Sequence, residues 1–356
     1  MSGAPASRVL PHRRANLIMI SFAFSSFLGP AGSSSAGAKS LRRPRLRLAL
    51  APLAAGLLAA APNAGHACAC GCGVFSVATS SMLPLDQGGM AYLEYDFQNQ
   101  NHNWSGRSAA PAADNPDQQI ETDFYSAGLE YMANRSWGLQ FELPYDRRSF
   151  RTTGGPTGDD PVSLRWSGPG DVRLKGIYTG FSPDLSVGLT FGVKLPTGSS
   201  THNDVFGDID RDSELGTGST DLLLGGFFRH QFAADPRWAW FAQAEWDQPV
   251  LIRDQYRPGA EVDAAAGIYF DGWSIGAVRI TPVGQVIASG RARDSGSNAA
   301  SPVASGFRRF MLSPGLEMHV HQLTVYADAE RPVYQHFTGD QLAAPVLFKV
   351  IVSRTF

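Results

Sequence analysis

From Leu185 onward the chain alternates between two kinds of residue. Leu185, Val187, Leu189, Phe191, Val193 and Leu195 are apolar, while Ser186, Gly188, Thr190, Gly192, Lys194 and Pro196 are small, polar or charged. A period of two marks a strand with one apolar and one polar face. The stretch lies within GPGDVRLKGIYTGFSPDLSVGLTFGVKLPTGSS, residues 168–200, which reads as two strands joined by a tight turn. In a soluble sandwich the apolar face would meet a second sheet. In an outer-membrane barrel it meets lipid, and the small polar face lines the lumen.

The alternation recurs along the chain. It predicts strands near 89–98, 122–132, 137–147, 170–180, 185–196, 218–230, 238–249, 260–270, 273–287, 307–319, 322–335 and 344–356. Most have the length that crosses a bilayer when tilted. Long connections near 99–121, 148–169, 197–217 and 288–306, with shorter ones near 250–259 and 336–343, alternate with tight turns. The turns fall at 133–136, 181–184, 232–237, Asp271-Gly272 and 319–322. Long loops at one end and short turns at the other is the asymmetry of outer-membrane barrels. Trp238, Trp240, Trp246, Trp273, Tyr125 and Tyr131 fall near strand ends on the apolar parity, where interfacial girdles belong. The terminal Phe356 closes an alternating strand. The pattern therefore predicts an all-β, antiparallel transmembrane outer-membrane β-barrel of about twelve strands over 89–356, located in the bacterial outer membrane with lipid around it.

The first residues depart from this pattern. Residues 1–67 hold eight Lys or Arg and no Asp or Glu. They include a basic region, an Ala/Leu-rich run near 48–61, and small residues at Gly65 and Ala67. That is the order of parts in a secretory signal peptide cleaved after Ala67, and the apolar run is too short for a transmembrane helix. The segment before Lys39 exceeds an ordinary leader, as an upstream start codon or a two-part targeting sequence would produce. Residues 68–88 then form a Cys/Gly-rich periplasmic or plug segment. The charge of the whole chain is −2, so the remainder without its eight leader cations carries −10. An acidic product argues against nucleic-acid binding.

With the N-terminus periplasmic, five outward-running strands end in proline, at Pro144, Pro196, Pro249, Pro282 and Pro332. Proline lacks the ladder donor, so these positions predict bulges or frayed rims. Two residues before them stand Glu142, Lys194, Asp247, Ile280 and Glu330. Apart from Ile280 these lie on the polar parity, so Glu142, Lys194, Asp247 and Glu330 are expected to project into the lumen at similar depth as a selectivity ring. Glu94, Asp96, Glu130, Arg173, Lys175, Glu245, Glu261, Asp263, Asp328 and Lys349 share that parity. Buried charges must be hydrated or paired. They line a pore that passes a small solute, or they form a salt-bridge network that fills a narrow barrel.

At GPGDVRLKGIYTG, GVKLPTG and LGTGSTDLLLGGFFRH the sequence resembles the family of outer-membrane transporters named for the meta-pathway of phenol degradation. The resemblance covers roughly residues 120–356. It implies an outer-membrane channel or transporter for small solutes, including aromatic or hydrophobic compounds. It brings no catalytic residues and no cofactor, and the cysteine segment is not part of its pattern.

Cys68, Cys70 and Cys72 are the only cysteines. Alternate thiolates suit a soft metal ion such as copper or zinc. A local disulfide in an oxidising periplasm and lipid attachment at Cys68 are the other readings. A metal-handling or structural barrel with a blocked lumen is thus the alternative to solute passage. Asp204, Asp208, Asp210, Asp212 and Glu214 form an acidic loop without the glycine of a calcium loop, and are expected to be solvated. None of His102, His202, His230, His319, His321 and His336 accompanies a nucleophile signature, so no enzyme is expected.

Overall fold

The computed structural model describes residues 87–154, 160–204, 207–208, 211–299 and 301–356. Leader, cysteine segment and most acidic-loop side chains lie outside them. Twelve strands form the barrel: β1 Gly88–Gln100, β2 Asp117–Met132, β3 Trp137–Gly154, β4 in two pieces (Asp160–Pro169 and Val172–Tyr178), β5 Val187–Leu195 and β6 Thr220–Phe232. The second half comprises β7 Asp235–Leu251, β8 Glu261–Phe270, β9 Val278–Arg291, β10 Phe307–Val320, β11 Leu323–Ala343 and β12 Leu347–Thr355. Each pairs antiparallel with its neighbours, and β1 closes on β12 from Met90 opposite Thr355 to Gln98 opposite Leu347. Gly89 and Phe356 exchange backbone hydrogen bonds of 2.9 and 2.8 Å and complete the seam. Closure leaves no free edge, which is what hydrocarbon demands of a sheet.

The outer face is apolar. Leu93, Leu139, Leu143, Phe191, Leu222, Val286, Leu312 and Phe348 are all exposed, as are the six girdle aromatics read from the sequence. At the short-turn end Trp137 packs on Tyr178, Phe228 on Trp240 and Trp238 on Phe270, with ring centroids 4.7, 4.8 and 4.9 Å apart. Towards the loops, Tyr95, Tyr125 and Tyr145 occupy one register row across three strands. Trp238 and Trp246 are eight residues apart on β7, or about 26 Å along a strand at ~3.3 Å per residue, which at a tilt of about 40° is roughly 20 Å of height and fits within an apolar band about 25 Å tall. The barrel is an outer-membrane barrel.

The prolines act locally. The ladder slips beside Pro249, between Thr220 and Asp221, and again beside Pro332. Pro144 faces the break between the two pieces of β4, where Gly170 donates to its carbonyl at 2.9 Å. Pro196 follows the last residue of β5. Pro282 stays within an unbroken ladder to β10.

Several expectations change. The connection placed at 148–169 is largely ladder, because β3 runs on to Gly154 and the first piece of β4 pairs back from Asp160. The one at 99–121 is shortened by β1 and β2, and its strand His102–Gly106 pairs onto β11. The one at 336–343 is the upper end of β11. The turn placed at Asp271-Gly272 lies instead at Gly276-Ala277. A short strand Trp273–Ile275 pairs back onto β9, and Gly276 at φ 60° takes the first turn position. Glycine there, with an ordinary φ at Ala277, is the type II′ hairpin arrangement. Finally, Leu185 leaves the lipid-facing row. Its φ of 54° turns the chain, and its side chain packs inside with Met132, Ile177 and Phe227.

Candidate lumen site

The lumen is not uniformly polar. In its short-turn half Met90, Tyr92, Phe241, Val283, Tyr326 and Ile351 form one buried cluster that reaches from β1 across to β7, with Tyr269 packed on it. Glycines on adjacent strands make room for the rings. A Cβ at Gly128 would lie 1.9 Å from the Tyr92 ring, and one at Gly267 would lie 2.7 Å from the Phe241 ring. Tyr326 over Gly315 and Phe227 over Gly188 repeat the arrangement. Much of the glycine on the polar face is therefore a bed for inward aromatics rather than an open lining. Higher up, the β11–β12 connection folds in. Ala344 and Leu347 pack with Ala265, Ile287 and Met311, and Leu342 packs on Ile120.

Above the aromatic layer the walls are charged. Register places Glu142, Arg173, Lys194 and Asp221 in one row across β3, β4, β5 and β6. Lys194 Nζ bridges Asp221 at 2.5 Å and Asp247 at 3.1 Å. Arg173 and Lys175 share Glu245 at 3.6 and 2.9 Å. Glu142 accepts a hydrogen bond from the Tyr92 hydroxyl at 3.1 Å, which joins the charged row to the aromatic layer. On the β12 side Lys349 bridges Glu94 and Asp96, and Asp328 accepts hydrogen bonds from Tyr326, Ser313 and Gln285.

Two buried aspartates organise the loops above. Asp171 accepts from the backbone N–H of Gly198 at 3.0 Å, and from both the N–H and hydroxyl of Thr217 at 2.8 Å. Thr197 Oγ1 accepts from Val172 N–H and donates to the Gly170 carbonyl. The Gly-Asp, Leu-Pro-Thr-Gly and Gly-Thr-Gly segments that carry the sequence resemblance thus meet around one carboxylate. Asp294 plays the same part elsewhere, accepting from Gly259 N–H and the Tyr256 hydroxyl and pairing with Arg291 at 2.7 Å. Arg211 lies 5.1 Å over the Tyr256 ring and links the two loop systems. Glu214 takes the His202 N–H at 2.5 Å, and burial pushes its carboxyl above the ordinary range.

Between charged walls and loops lies a cavity of about 180 Å³. Glu142, Lys194 and Asp247 line it, together with Asp146, Arg148, Asp171, Arg173, Glu214, Asp221 and Glu261. Glu330 does not. It is 1% exposed, its neighbour across the ladder is Leu347, and both its carboxylate oxygens lack a hydrogen-bond partner. All four residues face inward; Glu142 and Lys194 share a register row and Lys194 reaches Asp247, whereas Glu330 stands apart from these three. Sequence reasoning missed Asp221 and Asp171, whose signal is an acid at the first turn of a strand after a glycine-rich restart. Cys68, Cys70 and Cys72 lie outside the described residues. Within those, no three His, Cys, Asp or Glu residues are grouped to hold a metal ion.

No family model and no curated sequence matches the chain. Solved structures do match. An outer membrane channel from Pseudomonas putida F1 superposes with a TM-score of 0.58 at 13% identity, over 79% of this chain and all of that one. The β-domain of the Bordetella autotransporter BrkA gives 0.44 at 13%, over 76% of this chain and all of that one. The CymD monoaromatic hydrocarbon channel gives 0.40 at 8%, over 76% and 89%. At these identities the likenesses show the fold alone.

Proposed function

We propose that the chain is an outer-membrane channel for small solutes, reached from the loop side. One observation carries the reading: a charged cavity lies under the loops, and below it, among the described residues, the lumen is filled by side chains of the barrel strands. Side chains can swing aside without unfolding anything. The Pseudomonas channel fold is consistent with this, and the family resemblance adds aromatic or hydrophobic compounds as candidate solutes. Glu142, Lys194 and Asp247 are proposed as wall residues that sort solutes by charge, with Glu330 acting from the opposite wall.

A second reading is a barrel that passes nothing, favoured by the apolar cluster from Tyr92 to Phe241. Metal handling at Cys68, Cys70 and Cys72 is a separate proposal on a segment outside the described residues. Flux of small neutral and charged solutes into proteoliposomes separates the first two readings. Uptake faster than in protein-free vesicles supports the channel. Uptake equal to that background, with correctly inserted protein, rejects it.

A further inference from the structure

The acids and bases around the cavity do not balance. Among the described residues, nine carboxylates line it against five cations. The cations are all engaged: Lys194 with Asp221 and Asp247, Arg173 with Glu245, Arg291 with Asp294, Arg211 with Asp254 and the Tyr256 ring, and Arg148 with Asp146 and the Phe124 ring. Several carboxylates are satisfied only in part, Glu142 by the Tyr92 hydroxyl alone. Among the described residues no cation comes within salt-bridge distance of Glu142 or Glu261. Asp146 is nine-tenths buried, lies 4.0 Å from Arg148 through one oxygen, and its other oxygen has no hydrogen-bond partner.

A carboxylate withdrawn from water without a partner is costly, and a bound positive charge offsets that cost. The space is adequate. A water needs only about 10–15 Å³ by the same measure, so about 180 Å³ holds a small organic molecule. We propose that this cavity binds a small organic cation, an ammonium compound whose charge sits against Glu142 and Asp146. The proposal deepens the channel reading, on which it rests for its biological meaning, by giving the solute a charge.

Benzylammonium and benzoate have the same shape and opposite charge, so they isolate the point. Binding of each to the refolded mature protein at pH 7.5 is read by saturation-transfer NMR, and passage is read separately in proteoliposomes. Saturable binding of benzylammonium, at least tenfold tighter than benzoate, is the expected result. Glu142→Gln/Asp146→Asn should weaken it tenfold or more while leaving benzoate unchanged. If that variant does not refold, the wild-type reversal potential in a potassium chloride gradient decides, with cation selectivity expected. Equal or tighter binding of benzoate, or anion selectivity, overturns the proposal. Benzylammonium that binds but never crosses leaves the site and rejects the channel; equal passage of both compounds without charge preference in binding does the reverse.

Discussion

The Tyr92 ring packs against Gly128 on the neighbouring strand, where a Cβ would sit 1.9 Å from the ring. The Tyr92 hydroxyl in turn donates to Glu142 at 3.1 Å and accepts from Gln140 at 3.0 Å. One side chain therefore belongs to both the apolar layer and the charged wall. Gly128→Ala must push the ring out of its bed. Overpacking of this kind costs about 1–3 kcal/mol. The expected outcome is a lower unfolding midpoint in guanidinium together with larger channel currents. An unchanged midpoint would mean that the ring moves freely.

Lys194 holds two acids, and Asp221 is completely buried. Lys194→Met strands both carboxylates. Removing one partner of a buried pair costs about 3–5 kcal/mol, whereas replacing the whole set with neutral groups is far cheaper. The single variant should lose most of its thermal stability. The triple variant Lys194→Met/Asp221→Asn/Asp247→Asn should recover much of it. A triple variant weaker than the single one would show that the acids are needed for other contacts.

Asp171→Asn removes one of two acceptor oxygens that hold Gly198 and Thr217. A buried donor left without a partner costs about 1–3 kcal/mol. The connection between β5 and β6 should then be cut faster by protease added to intact cells, while the barrel itself stays resistant. Cleavage at the wild-type rate would mean that other contacts suffice to hold the loop.

Parity read most of the barrel correctly, because the inside–outside alternation of a strand is written in the sequence itself. Glu94, Asp96, Glu142, Lys194, Glu330 and Lys349 are buried inside as read, and Asp247 lines the cavity beside Lys194. Pro249 and Pro332 mark ladder slips because a missing N–H is likewise a local property. The plug was not legible. Tyr92, Phe241 and Tyr326 sit on the polar parity, and their meaning depends on glycines that register brings opposite them from distant positions. The turn at Gly276 was missed because Asp271-Gly272 has the better local signal, while Asp271 N–H is spent on the Arg237 carbonyl at 2.7 Å. Of the four expected ring residues, Glu142, Lys194 and Asp247 line one cavity and Glu330 does not, because parity tells which way a side chain faces but not which inward residues meet.

The most direct measurement is single-channel conductance of the refolded mature protein in a planar bilayer, compared with Tyr92→Ala/Phe241→Ala. If solutes pass through the lumen and the aromatic layer closes it, the wild type gives small or brief steps, and the double variant gives larger, steady ohmic ones. Equal conductance of the two proteins, with both correctly inserted, would contradict it, because the layer from Tyr92 to Phe241 would then not stand in the path.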